Sequence, residues 1–280
     1  MKILFTLLSI LPKSFYKFCI RIFMTLGLHK ISSSYRVTKI NIKIARPLLN
    51  STQITQAANS SYAQSLISIY ETFYAWSRKP FRINNNILVV KNNYLIHEYI
   101  EKQNGLVVVA IHNRSVDMLL SWINSQTNTV SLYKKIKLKM LDTYVRKIRE
   151  NNVNKTFETS VLGVKKILKA LKNNEVIAVA SDQVPARGHG EYVDFFGKKS
   201  YTTTLVPRLA CKTKKPVVFC CLNSLSNSNL LAINIESSDK NLYDNSKCLL
   251  SMNQSIEKLI NKNISDYSWE YKRFRRVSQR

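Results

Sequence analysis

A run of six apolar residues, Leu106-Val107-Val108-Val109-Ala110-Ile111, leads directly into His112. A strand with no polar face has no side to show to water. It belongs inside a sheet covered on both surfaces, as the parallel strands of α/β proteins are. Segments 176–180 and 216–222 have the same character. Weaker strand patterns fall at 87–90, 129–133 and 230–235, and helical patterns at 53–78, 93–103, 115–124, 136–150, 159–173, 201–213 and 245–263. This alternation predicts an α/β chain: a central, mostly parallel sheet flanked by helices. Its 280 residues suffice for one large core, and no linker or compositional break follows residue 30.

In open α/β sheets, ligands bind beyond the carboxyl ends of the strands. Two motifs sit at such ends. His112 follows the first apolar strand, and Asp117 comes five residues later in His-Asn-Arg-Ser-Val-Asp, in the first turns of the next helix. A carboxylate that folds back on an imidazole fixes its tautomer and stabilises the imidazolium, which makes His112 a candidate general base with Asp117 as its partner. A purely structural hydrogen-bonded pair is the alternative. No Ser or Cys in a nucleophile elbow lies nearby, so the chemistry indicated is direct attack by an acceptor hydroxyl. The second motif, Asp182-Gln183, ends the 176–180 strand and faces the same sheet edge; a local turn cap is the alternative. Further on, Phe195-Phe196-Gly197 precedes Tyr201-Thr202-Thr203-Thr204. The aromatics can wall an apolar pocket or pack in the core, and the Thr run can cap the next helix.

Charge narrows the partners. There are 43 Lys+Arg against 17 Asp+Glu, a formal +26, which favours anionic lipid, phosphorylated substrates, acidic proteins or nucleic acid. Lys, Asn and Ile are all frequent, the pattern of an A+T-biased genome, so charge alone selects none of these. A basic helix carries Lys134, Lys135, Lys137, Lys139, Arg146, Lys147 and Arg149, and the tail from Trp269 to Arg276 mixes aromatics with cations; both can grip phosphate. No nucleic-acid-binding module signature is present, and nucleic acid is not expected as a partner. The five cysteines show no C-x-x-C or zinc-like spacing, and their odd count with adjacent Cys220 and Cys221 on an apolar run reads as reduced, buried thiols; no metal or cofactor is expected.

Residues 3–12 are uncharged, and Lys13, Lys17 and Arg21 then recur every four residues through apolar sequence up to Leu28. The longest uncharged run is shorter than the roughly 20 residues needed to cross a bilayer. No secretory cleavage site follows. On a helix the three cations form one stripe able to snorkel to headgroups, with Phe15, Phe18, Ile20, Ile22 and Phe23 over the remaining surface. Residues 1–28 are read as a membrane anchor, interfacial or tilted, and 29–280 as a single catalytic domain.

In this order and spacing the motifs resemble the lysophospholipid acyltransferase superfamily, and more closely the lipid A biosynthesis (late) acyltransferases of the lauroyl/myristoyl type. The likeness covers nearly the whole chain. It rests on Tyr70-Glu71-Thr72-Phe73, on His112 and Asp117, on Arg149 closing a basic helix, and on Asp182-Gln183. It continues through Phe195-Phe196-Gly197 and the Thr run, Arg208-Leu209-Ala210, and Trp269, Arg273 and Phe274. The resemblance implies a catalytic pair, His112 and Asp117. It implies substrate-binding roles for Arg149, Asp182, Gln183, Phe195, Phe196, Gly197, Thr203 and Arg208. It further implies acyl carrier protein as acyl donor, a lipid A precursor as acceptor, and the cytoplasmic face of the inner membrane, with its anionic surface, as the workplace. The family's usual Glu is Asp at 117, and its Gly after the active-site Arg is absent behind Arg149. A glycerolipid or lysophospholipid acyltransferase, and a non-catalytic basic membrane- or nucleic-acid-binding protein, are the alternatives.

Overall fold

The computed structural model describes residues 1–226 and 228–275; Arg276 of the basic tail lies outside them. The chain begins with four helices: α1 (Lys2–Leu8), α2 (Lys13–Thr25), α3 (Ser33–Ala45) and the long α4 (Ser51–Ser77). Asn50 and Gln53 start α4 with a reciprocal capping box, each side chain accepting the other's backbone N–H at 2.9 Å. After α5 (Pro80–Asn84), strands and helices alternate: β1 (Ile87–Lys91), α6 (Tyr94–Glu101), β2 (Leu106–Ala110), α7 (Val116–Gln126), β3 (Thr129–Tyr133), α8 (Lys139–Arg149), β4 (Lys155–Glu158), α9 (Val161–Lys172) and β5 (Val176–Ala180). A hairpin, β6 (Gly190–Phe195) and β7 (Lys198–Thr203), interrupts the pattern. Then come α10 (Leu205–Thr213), β8 (Val217–Ser224), β9 (Leu231–Ser237) and α11 (Cys248–Lys262).

Seven strands form one sheet in the order β1-β9-β8-β2-β5-β3-β4, parallel throughout except for the β8–β9 hairpin. The mostly parallel α/β class expected from the sequence is what forms. β2 lies at its centre, between β5 and β8. Every residue from Leu106 to Ile111 is buried, and alternate side chains serve opposite cores. Val107, Val109 and Ile111 join α11 and Trp269 on one face; Leu106, Val108 and Ala110 join α7 and Val218 on the other. Each such aliphatic side chain contributes roughly 1.5–3 kcal/mol by leaving water. Adjacent Cys220 and Cys221 of β8 are split the same way, one to each core.

Two local expectations differ. Residues 201–203 are strand rather than helix, because they pair with Glu191–Gly190 and Tyr192 of β6; α10 starts only at Leu205. Two of the three N-terminal cations, Lys13 and Lys17, face inward, while Arg21 stays exposed. Lys13 Nζ reaches Glu71 at 2.6 Å and the Asn229 carbonyl at 2.9 Å, while Lys17 Nζ donates to the Ser228 carbonyl at 2.9 Å. A buried carboxylate draws these cations away from the headgroup position expected for them. Phe15, Phe18 and Ile22 of α2, with Ile3, Leu4 and Leu7 of α1, are exposed instead. No single helix among the described residues is long and apolar enough to cross a membrane; α1 and α2 reach that composition together but meet at 71°.

Candidate active site

The parallel register positions the site. Ala110 of β2 stands opposite Ala180 of β5, so His112 and Asp182 leave the sheet edge side by side. Asp182 Oδ1 lies 2.6 Å from His112 Nδ1, and its Oδ2 accepts the His112 backbone N–H at 3.0 Å. One carboxylate thus holds both the ring and the backbone of the histidine. The pairing sets Nδ1 as the protonated nitrogen and leaves Nε2 as the basic one. Asp182 is fully buried, whereas the His112 side chain keeps 26% of its surface exposed. Burial alone would lower the imidazole pKa, but the Asp182 charge and hydrogen bond outweigh it and raise it above the ordinary value. Burial likewise pushes the Asp182 carboxyl up, and His112 with its backbone N–H more than reverses this, so it stays ionised.

Asp117 does not hold the imidazole. It is the second residue of α7, and Arg149 at the end of α8 takes it: Arg149 Nε and Nη2 both approach Asp117 Oδ1 at 2.7 Å. The expected His112–Asp117 pairing is therefore replaced by two pairs, His112–Asp182 and Asp117–Arg149. Residue 182 meets 112 because β5 is the strand next to β2, an adjacency that spacing along the chain does not carry. Asp117 still acts on His112 through space, adding a smaller upward pull on its pKa. Asp117 and Arg149 line a cleft of about 90 Å³ with Trp76, Arg78, Leu120 and Asn124. A larger hollow, about 400 Å³, is bordered by Asp142, Arg146, Lys147 and Glu150 on the outer side of α8. It touches neither His112 nor Asp117, so volume alone does not mark the site.

The C-terminal segment braces this edge. Ser268 N–H donates to the His112 carbonyl at 2.9 Å, Arg114 N–H donates to the Asp266 carbonyl at 2.9 Å, and Asn113 bridges to Tyr267. Tyr267 is buried against Asp182, and burial first, then that carboxylate, pushes its phenol well above the ordinary range. Arg273 is no surface phosphate clamp: it is 1% exposed, 4.4 Å over the Phe195 ring, and donates to the Tyr201 carbonyl and the Thr202 hydroxyl. Burial lowers its pKa.

The remaining predicted positions fall elsewhere. Gln183 follows Asp182, half-buried. Phe195 is wholly inside the core, packed on Phe196 and Phe274, which leaves no surface for a substrate. Phe196 (φ +48°) and Gly197 (φ +70°) form the tight turn of the β6–β7 hairpin, where Gly is favoured at the second position. Thr203 ends β7, and its hydroxyl accepts the Leu205 N–H at 3.4 Å. Arg208 is exposed on α10 beside Glu191, at 3.4 Å.

A second polar group, to which no motif in the sequence assigns chemistry, stands next to the site. Arg114 is buried, and its Nε and Nη2 form a two-pronged pair with buried Glu71 of α4. Its Nη1 donates to Gln64 and lies 3.5 Å from Asp266. An acid inside the otherwise uncharged 53–77 stretch was the available signal.

A family model described as bacterial lipid A biosynthesis acyltransferase matches residues 1–276. The chain is also similar to a protein of Haemophilus influenzae (strain ATCC 51907 / DSM 11121 / KW20 / Rd) named lipid A biosynthesis acyltransferase. The two are 25% identical over 213 residues, which cover 75% of this chain and 67% of that protein.

Proposed function

The chain belongs to the bacterial lipid A biosynthesis acyltransferase family, and from that premise we propose that it moves a fatty acyl group from acyl carrier protein to a hydroxyl of a lipid A precursor, with His112 as general base. The observation that carries this reading is the His112–Asp182 pair, 2.6 Å apart at the carboxyl edge of the central strand. Nε2 of His112 takes the proton of the acceptor hydroxyl. The oxygen bonds to the thioester carbonyl carbon, and the tetrahedral intermediate breaks its C–S bond. The imidazolium returns the proton to the departing thiolate. Base assistance of this kind contributes about 10²–10⁴-fold. Asp182 is the positioning residue, holding the tautomer. The Asp117–Arg149 pair and the cleft it lines receive substrate beside the base.

The setting fits the substrates. A chain of formal charge +26 attracts an acidic carrier and an anionic membrane surface. The exposed aromatics of α2 supply an interfacial face. This reading places the protein on the inner membrane with its catalytic domain at the cytoplasmic side.

The test is thioester consumption by the detergent-solubilised protein, given acyl carrier proteins of several chain lengths and a tetraacylated lipid A precursor. Transfer that is lost in His112→Ala supports the proposal. Transfer only to a lysophospholipid keeps the chemistry and replaces the acceptor, and no transfer to either rejects it.

A further inference from the structure

Three cations converge beyond the end of β8. Lys13 and Lys17 lie one turn apart on α2, and Arg114 follows His112 by two residues. Two buried carboxylates stand among them, Glu71 and Asp266. Glu71 is taken up by Arg114 and by Lys13 Nζ, and Asp266 by Arg114 Nη1, Ser224 and Asn263. Among the described residues, three cations against two carboxylates leave one positive charge in excess.

That excess borders a cavity of about 280 Å³ whose wall is otherwise rich in hydroxyls, among them Ser228 and Ser265, whose oxygens accept from Leu230 N–H and the Ser60 hydroxyl and so keep their own protons to donate. The bond of Lys17 to the Ser228 carbonyl engages one of the three N–H donors an ammonium carries. Burial lowers the pKa of both lysines, and Lys13 and Arg114 lower that of Lys17 further, so an anion in the cavity relieves a strain already present. Arg114 is held at φ +59°, an unfavourable backbone conformation for a residue with a side chain, of the kind that clusters at ligand clamps. Ammonium and hydroxyl donors around a polar void match a phosphoryl group, whose oxygens only accept. Phe15, Phe18 and Ile22 are exposed on the side of α2 away from Lys13 and Lys17, so the helix that carries the cations of the cavity also carries an apolar outer face for lipid chains.

We propose that this cavity is a phosphoryl-binding subsite in which Lys17 and Lys13, backed by the buried charge of Arg114, hold a phosphomonoester borne by a lipid. Assigning that phosphate to the acyl acceptor rests on the function proposed above; the binding itself does not. The two are tested separately on the full chain in detergent. Short-chain (dihexanoyl) phosphatidic acid is titrated by ³¹P line broadening, with dihexanoyl phosphatidylcholine as the zwitterionic control and inorganic phosphate as competitor.

Wild type should broaden phosphatidic acid and not phosphatidylcholine. Lys17→Gln should weaken binding about tenfold, the size of one charge-assisted contact. Lys17→Arg, which keeps the charge, should retain it, and so should Lys212→Gln on an exposed part of α10. Competition by inorganic phosphate assigns recognition to the phosphoryl group by itself; binding without competition assigns it to the lipid headgroup. Equal broadening in wild type and Lys17→Gln, an equal loss in Lys212→Gln, or a loss in Lys17→Arg matching that in Lys17→Gln overturns the proposal. In the transfer assay, Lys17→Gln should raise KM for a phosphorylated acceptor more than for its dephosphorylated counterpart. A wild type that binds phosphatidic acid through Lys17 yet transfers no acyl group refutes the acyltransfer reading and leaves the subsite standing.

Discussion

Replacing Asp182 by Asn tests which carboxylate serves the catalytic histidine. The substitution keeps size and an acceptor oxygen but removes the charge 2.6 Å from His112 Nδ1. A hydrogen bond to a charged group is worth about 1.5–3 kcal/mol, which is roughly 10- to 150-fold in rate at about 1.4 kcal/mol per decade. The Asn amide can also turn its N–H₂ toward Nδ1, which moves the ring proton to Nε2 and removes the base; this carries the loss toward about 10²–10⁴-fold. The pH profile supplies a second readout. The base works only when neutral, so activity rises with pH through its pKa. In wild type that limb lies above the ordinary imidazole value of 6.5, since Asp182 outweighs burial. Without the charge, burial prevails and the limb moves to lower pH. Asp117→Asn should move it far less. The assay is kcat against pH for wild type and both variants, with folding checked by thermal melts. Asp182 is not the partner of the base if Asp182→Asn retains kcat within about threefold with an unmoved limb, or if Asp117→Asn produces the larger shift.

Other consequences are open to measurement. Glu71→Gln leaves Arg114 and Lys13 buried without their carboxylate and should cost about 3–5 kcal/mol, read as a lower urea midpoint. Burial pushes the Glu71 carboxyl up, but Arg114 and Lys13 hold it below its ordinary 4.5. Its contribution to stability is thus present above that value and lost as pH falls through the lower folded one. The Gln variant should lose this part of the acid dependence, and an unchanged acid limb would count against the pairing. Asp117→Asn and Arg149→Met should each lower kcat/KM and combine non-additively, with a coupling of about 0.5–3 kcal/mol in a double-mutant cycle; additive losses would show that the pair does not act as one. Gly163→Ala places a Cβ 2.0 Å from the Glu158 carbonyl oxygen, so α9 must shift, at a cost of about 1–3 kcal/mol in thermal stability. A neutral substitution would contradict that contact.

The sheet was legible because β2, β5 and β8 are buried on both faces and their sequences carry no polar alternation. The β6–β7 hairpin was not, since Lys198-Lys199-Ser200-Tyr201 lacks an apolar face and its partner strand is equally mixed. His112 and Asp182 were both visible as polar residues at the ends of apolar runs. Their mutual contact was not, because it depends on β5 lying next to β2 after an excursion through β3 and β4. Asp117 was the nearer acid along the chain, and helix α7 carries it to Arg149 instead. The cations of α2 were visible as a stripe, but its direction depends on Glu71, 58 residues after Lys13 and meaningful only once α2 packs on α4.

Cys220 and Cys221 provide a built-in gauge of how the molecule opens. Burial holds both thiols protonated, the second up to about 12, so neither is a nucleophile while the sheet is covered. Because the two side chains point to opposite faces, a small alkylating reagent reaches Cys220 only when the α7 layer lifts and Cys221 only when the α11 layer does. Mass spectrometry of the two adducts over time would therefore resolve which side of the sheet breathes first, with no substitution made in the protein.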